Sequence, residues 1–205
     1  REFLCDPNLK RAVLFCGDQG AGKTTHAIST SVGRVSELGG IGLSLQDTRE
    51  INLNGLFGAG RSIDVEIDRA RNGYAETIIR SLRSRPKLTY FAEIREGEAA
   101  IHVLQSAGNG SPLIATVHGE GIVHTFHRLT SFCRQKDYDD RAIKSMLADS
   151  LSAIVHLKMH SQGPVKQVSV EYLLIEDKDS AVRQKISEGD FKALDDNINF
   201  QRSRG

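Results

Sequence analysis

The sequence predicts an α/β protein, a mostly parallel central sheet flanked by helices. Apolar, strand-like runs alternate along the chain with stretches of helical periodicity, the pattern of strands joined by helical crossovers. The first run, Ala12-Val13-Leu14-Phe15-Cys16, leads directly into Gly17-Asp18-Gln19-Gly20-Ala21-Gly22-Lys23-Thr24 and then a helix, a succession of strand, phosphate loop and helix. Three apolar strands also end in polar residues: Asp47 with Glu50, Glu93, and His118. In a parallel sheet such ends gather on the carboxyl edge, where ligands bind.

Each residue type in the loop has a chemical reason. The glycines admit backbone conformations closed to other residues, so successive N–H groups can point inward at phosphate. The helix starting near Lys23 adds free N–H groups and its positive dipole end. Lys23 is placed to reach the β- and γ-phosphates, and Thr24 to offer its hydroxyl to Mg²⁺. A chance glycine-rich turn has no reason to end in Lys-Thr between a strand and a helix. The stretch from Asp18 to Thr24 is therefore read as a nucleoside-triphosphate site.

The remaining elements follow in order. Thr25 to Val35 has apolar residues spaced by three or four and reads as a helix, stopped by Leu38-Gly39-Gly40. Ile41 to Leu45 is a short strand delivering Gln46-Asp47-Thr48-Arg49-Glu50 at its end. Gly55 to Gly60 reads as a glycine-rich loop, and Ser62 to Asp68 alternates like a half-exposed strand. Tyr74 to Ser84 is a helix ended by Arg85-Pro86. Leu88 to Ala92 is a buried strand with Glu93 at its end, and Glu98 to Ala107 a helix closed by Gly108. Leu113 to Val117 is a strand ending at His118-Gly119; Ile122 to Phe132 and Arg141 to Leu151 are helices. Ile154 to Leu157 and Val165 to Ile175 are late strands, Ser180 to Glu188 is a helix, and the end from Asn199 reads as loose. Residues 1–160 are expected to form the core, with 161–205 packed on it as an extension.

Composition sets bounds. At 205 residues, 39% hydrophobic and 26% charged, the chain is an ordinary globular protein. A formal net charge of +1 gives no reason to invoke nucleic acid or an anionic membrane. No apolar run approaches the ~20 residues a bilayer requires. The start, Arg1 to Pro7, has no initiator Met and no apolar signal core, so a fragment of a longer cytosolic protein is expected. Cys5, Cys16 and Cys133 are odd in number and unpatterned, which suits a reducing compartment, with Cys16 buried and inert.

Phosphoryl transfer needs charge neutralisation, a metal and an oriented nucleophile. Lys23, and Mg²⁺ on Thr24, supply the first two. Glu93, an acid ending a buried apolar strand, suits the Mg²⁺ shell; Glu50 is placed to orient the attacking water or accept its proton, and His118 to contact the γ-phosphate. Other signals are weaker. His124 and His127 have no zinc-like spacing to a partner, which favours ordinary surface or core histidines. Arg69, Arg71, Arg80, Arg83 and Arg85 suit either phosphate contact across a subunit boundary or a solvated helix face.

Four ordered blocks resemble the type II/type IV secretion ATPase superfamily, which includes pilus extension and retraction motors and conjugation and effector-secretion ATPases. The phosphate loop continues with a second threonine, Thr25. Ser44-Leu45-Gln46-Asp47-Thr48-Arg49-Glu50 resembles that family's Asp box. Phe91-Ala92-Glu93-Ile94-Arg95-Glu96-Gly97-Glu98 resembles its Walker B segment, preceded by a similar Leu82-Arg83-Ser84-Arg85-Pro86. Ala115-Thr116-Val117-His118-Gly119 resembles its His box, with Arg128-Leu129 at the expected distance. More loosely, Ala181 to Gly189 is similar to a helix of retraction-type motors.

The resemblance implies a RecA-like C-terminal ATPase domain of a homohexameric ring at the cytoplasmic face of the inner membrane, driving pilus or secretion machinery. It carries the water-activating role to Glu50, the Mg²⁺ shell to Glu93 and the box histidine to His118, with Asp47, Arg83, Arg95 and Arg128 as accessory residues. Gln46 replaces a usual carboxylate, Ala92 a glycine and Glu96 an aspartate, and the tetracysteine zinc motif of the type II secretion and pilus-extension branch is missing. The family's N-terminal domain, which contributes arginines to the nucleotide site, has no counterpart, so these residues alone are expected to bind nucleotide but hydrolyse it poorly. Two other classes remain open: an assembly module that binds ATP without turnover, and an unrelated phosphate-loop enzyme such as a small kinase or a RecA-like nucleic-acid ATPase.

Overall fold

The structure, a computed structural model, describes residues 6, 9–68, 73–162, 165–175 and 181–203, with the backbone alone for 74, 75, 82 and 162. Cys5, Arg69 and Arg71 lie outside the described residues. The elements are β1 (Ala12–Gly17), α1 (Lys23–Leu38), β2 (Gly40–Gln46), β3 (Gly55–Phe57), β4 (Gly60–Glu66), α2 (Gly73–Arg83), β5 (Leu88–Ile94) and α3 (Gly97–Gly108). They continue with β6 (Leu113–His118), α4 (Ile122–Arg134), α5 (Asp140–Ser150), β7 (Leu151–Gln162), β8 (Val165–Leu174), α6 (Ala181–Glu188) and α7 (Leu194–Arg202).

The strands form one eight-stranded sheet in the order β3-β4-β2-β5-β6-β1-β7-β8. The inner strands pair in parallel, while β3 and β8 close the two edges antiparallel. β1 is buried at every position, as a strand covered on both faces must be. Its alternation splits the core into two layers. Val13 and Phe15 pack with Ala27, Ile28 and Val35 of α1. Leu14 and Cys16 face the opposite layer, built from α2 to α7. The α/β, mostly parallel architecture read from the sequence is the one observed.

Three local expectations are corrected. Gly55 to Gly60 is a hairpin rather than a loop, because Gly55–Phe57 pairs with Gly60–Ser62 across Gly58 and Ala59. Gly58 turns at φ 54°, and a Cβ there would lie 2.1 Å from Ser36 Oγ, so only glycine fits. Leu151 opens β7 rather than ending a helix. The C-terminal stretch is helical instead of loose: Gln201 of α7 donates to the Leu174 carbonyl at 3.1 Å and accepts from the Leu174 N–H at 2.7 Å. That side chain occupies the backbone groups at the end of the edge strand β8, as a further strand would.

Candidate nucleotide site

The loop between β1 and α1 is shaped by close approach. At Gly17 the φ is 151°, and a Cβ there would fall 2.2 Å from the carbonyl oxygen of Leu157 on β7. Gly22, at φ 89°, precedes α1 in the left-handed region, and no side chain caps the helix. Its first-turn N–H groups are therefore left for an anion. Ala21 is 1% exposed beneath the loop and donates its N–H to the Asp18 carbonyl at 3.2 Å. Lys23 Nζ donates to the same carbonyl at 2.8 Å. Burial lowers the Lys23 pKa; Glu93, then Asp18, Cys16 and Glu50, act in the opposite sense.

Glu93 owes its position to an irregularity in β5. Phe91 pairs with Ala115 and Ile94 with Val117, so Ala92 and Glu93 together oppose Thr116 alone. Such a bulge bends the strand and re-aims a side chain. Thr116 donates its hydroxyl to the Ala92 carbonyl inside the bulge. Arg95 Nε donates to Glu93 Oε2 at 2.7 Å, and its Nη1 lies 3.8 Å from Asp47 Oδ2.

His118 ends β6, the strand between β5 and β1, which sets it between Glu93 and the loop. The following N–H, of Gly119, donates to the Gly17 carbonyl at 3.4 Å. Glu50 lies beyond β2 in a segment that folds back, its N–H donated to Gln46 Oε1 at 3.3 Å. Cys16, beneath the loop, has its thiol pushed up to about 12, chiefly by burial, and is no nucleophile.

These elements enclose a cleft of about 490 Å³ lined by Gln19, Gly20, Lys23, Thr24, Glu50, Glu93, Arg95, Thr116 and His118. The strand ends that the sequence set on one edge thus meet around the loop. Asp18, Ala21 and Gly22 build the loop from behind, Thr25 is exposed on α1, and Asp47 stands behind Arg95. Arg83 and Arg128 lie outside the lining; Arg128 is stacked 5.2 Å over the Phe132 ring. Sequence reasoning assigned no role to Thr116, nor to Asp64, whose side chain is 2% exposed behind the Glu50 segment. The signal for Thr116 was its place within the His-box block; Asp64 had only its position in an alternating strand.

Fold and cleft define an α/β domain that carries a phosphate-loop motif at the carboxyl edge of its sheet. The chain belongs to the family described as Type II/IV secretion system protein, whose model matches residues 6–186. Among curated relatives, the competence protein ComGA of Streptococcus pneumoniae is 30% identical over 119 residues, covering 57% of this chain and 35% of that protein. Protein VirB11 of Agrobacterium fabrum is 29% identical over 173 residues, 78% of this chain and 47% of that protein. The pilus retraction motor PilT, in a crystal structure with bound ADP, superposes with a TM-score of 0.80 at 18% identity, covering 96% of this chain and 55% of that one. The ATPase DotB of Legionella pneumophila gives 0.76 at 18% identity over 94% of this chain and 54% of that one. The chain thus spans about half the length of these relatives, or less.

Proposed function

We propose that this chain is the ATP-binding and ATP-hydrolysing motor domain of a hexameric pilus or secretion ATPase, serving pilus retraction, conjugative transfer or type IV secretion. The observation that carries the reading is that Lys23 and Thr24 share one cleft with two carboxylates, Glu50 and Glu93. A site that only binds nucleotide does not need both.

Lys23 neutralises the β- and γ-phosphates, while the loop N–H groups and the α1 N-terminus hold them. The residues fit Mg²⁺: Thr24 and Glu93 line the same cleft, and no group of three or more His, Cys, Asp or Glu among the described residues forms a metal cage. Mg²⁺ of this kind rests on one or two protein oxygens, water and substrate phosphate. When bound, the ion neutralises charge developing on the phosphate oxygens. Glu50 orients the attacking water or takes its proton, and His118 contacts the terminal phosphate.

The partners are further copies of the chain in a ring, together with pilus or secretion components at the cytoplasmic face of the inner membrane; family membership and fold support this. No helix among the described residues is long and apolar enough to cross a membrane. Glu93→Gln in the full-length protein is expected to abolish turnover while sparing ATP binding. Equal, near-zero turnover before and after would instead mark an assembly module without catalysis, and stimulation by single-stranded DNA a nucleic-acid ATPase.

A further inference from the structure

The segment carrying Glu50 is fastened by a buried carboxylate that phosphate chemistry does not use. Asp64 sits on β4 opposite Ser44 of β2, its side chain 2% exposed. A carboxylate so far from water needs donors, and the segment between β2 and β3 supplies them. Leu53 donates its N–H to Asp64 Oδ2 at 2.8 Å. Arg49 Nε lies 3.8 Å from the same oxygen, and Gln46 Nε2 is 3.4 Å from Oδ1. In return the Asp64 N–H donates to Asn54 Oδ1 at 2.9 Å.

Gln46 extends the clamp. Only 3% exposed, it donates through Nε2 to Ser44 Oγ at 2.9 Å and to the Ile51 carbonyl at 3.1 Å. Its Oε1 accepts the Glu50 N–H at 3.3 Å. Leu53 anchors the far end, 4% exposed in the apolar layer that holds Tyr90. The backbone is thereby fixed on both sides of Glu50, whose residue remains exposed at the cleft.

We propose that Asp64, acting with Gln46, is a positioning residue that sets Glu50 against the phosphates. This rests on the reading of Glu50 as the group that orients water. The amide at Gln46 is part of the device: it donates and accepts at once, whereas a carboxylate there would only accept and would face Asp64.

The test compares Asp64→Asn, Glu50→Gln and the double variant in the full-length protein. It measures ATP turnover and the binding of a slowly hydrolysed ATP analogue. Asp64→Asn should lower kcat by roughly ten- to a hundredfold, the cost of sub-ångström to 1 Å misplacement, with analogue affinity within about twofold. The double variant should turn over no more slowly than Glu50→Gln alone, because Asp64 acts only through Glu50. An unchanged kcat in Asp64→Asn, or losses that multiply in the double variant, overturns the inference. A normal rate in Glu50→Gln removes Glu50 from the chemistry and this inference with it, whereas the ATPase reading falls only if the parent itself shows the same near-zero turnover as Glu93→Gln. If Asp64→Asn loses analogue binding through misfolding, Gln46→Met, similar in volume but without the amide, decides: lost kcat at retained affinity supports the clamp, and unchanged kcat refutes it.

Discussion

Gly17→Ala tests how the phosphate loop is seated on the sheet. Gly17 pairs in register with Leu157 of β7, at a φ of 151°. An added Cβ would meet the Leu157 carbonyl oxygen at 2.2 Å and Ala21 Cβ at 3.2 Å. Neither neighbour is the tip of a flexible side chain, so strand or loop must shift. Placing a Cβ at that φ costs about 1–3 kcal/mol, and overpacking a filled site about 1–3 kcal/mol more, roughly 4 kcal/mol together. For a chain of this length each kcal/mol moves Tm by about 2–4 °C, so the midpoint should fall by about 8–16 °C. Gly33 in α1 is the internal control, with nothing within 4 Å of a Cβ built there. Gly33→Ala should stabilise by about 0.5–1 kcal/mol, since alanine loses less backbone entropy in a helix. Both variants are read by thermal melting followed by circular dichroism. A Gly17→Ala midpoint within about 3 °C of the parent would refute the close approach of β7 to the loop.

Two further perturbations test the scaffold. His156 on β7 lies 3.8 Å from Glu171, and burial lowers its pKa from 6.5, with Glu171 and Asp18 opposing. The unfolded chain therefore takes up this proton first as pH falls, so His156 weakens the fold as pH drops from 6.5 through the lower native value. Urea melts near pH 7.5 and near pH 5.5 should show a smaller loss for His156→Gln than for the parent; an equal loss would clear His156 of the effect. Asp139 caps α5 by accepting the N–H groups of Arg141 at 2.9 Å and Ala142 at 3.0 Å. Asp139→Ala should cost about 1 kcal/mol in denaturant unfolding, and an unchanged midpoint would show that the cap contributes nothing.

Much of the fold was legible because its signals are local. A buried strand shows as an unbroken apolar run, a helix as apolar residues at every third or fourth place, and each is decided by near neighbours. The short hairpin at Gly55–Phe57 was not legible: glycine marks a turn, but whether the flanks pair depends on the strand beside them. The helix ending at Arg202 was hidden likewise. Its polar sequence reads as loose until Gln201 meets the open edge of β8.

The candidate site divides along the same line. The sequence by itself determined the phosphate loop, because Gly17 to Thr24 acts through its own backbone and one helix end, and it marked Glu50, Glu93 and His118 as polar ends of apolar strands. Only the tertiary structure decided that these ends meet. The β5-β6-β1 order places His118 between Glu93 and the loop, and a bulge opposite Thr116 turns Glu93. The tertiary structure also made Asp64 a buried anchor. A carboxylate in an alternating strand is unremarkable in sequence, and it becomes an anchor when residues 11 to 18 positions upstream fold back to supply its donors. Chain neighbours encode local conformation; strand order and the satisfaction of a buried charge depend on partners that only folding brings near.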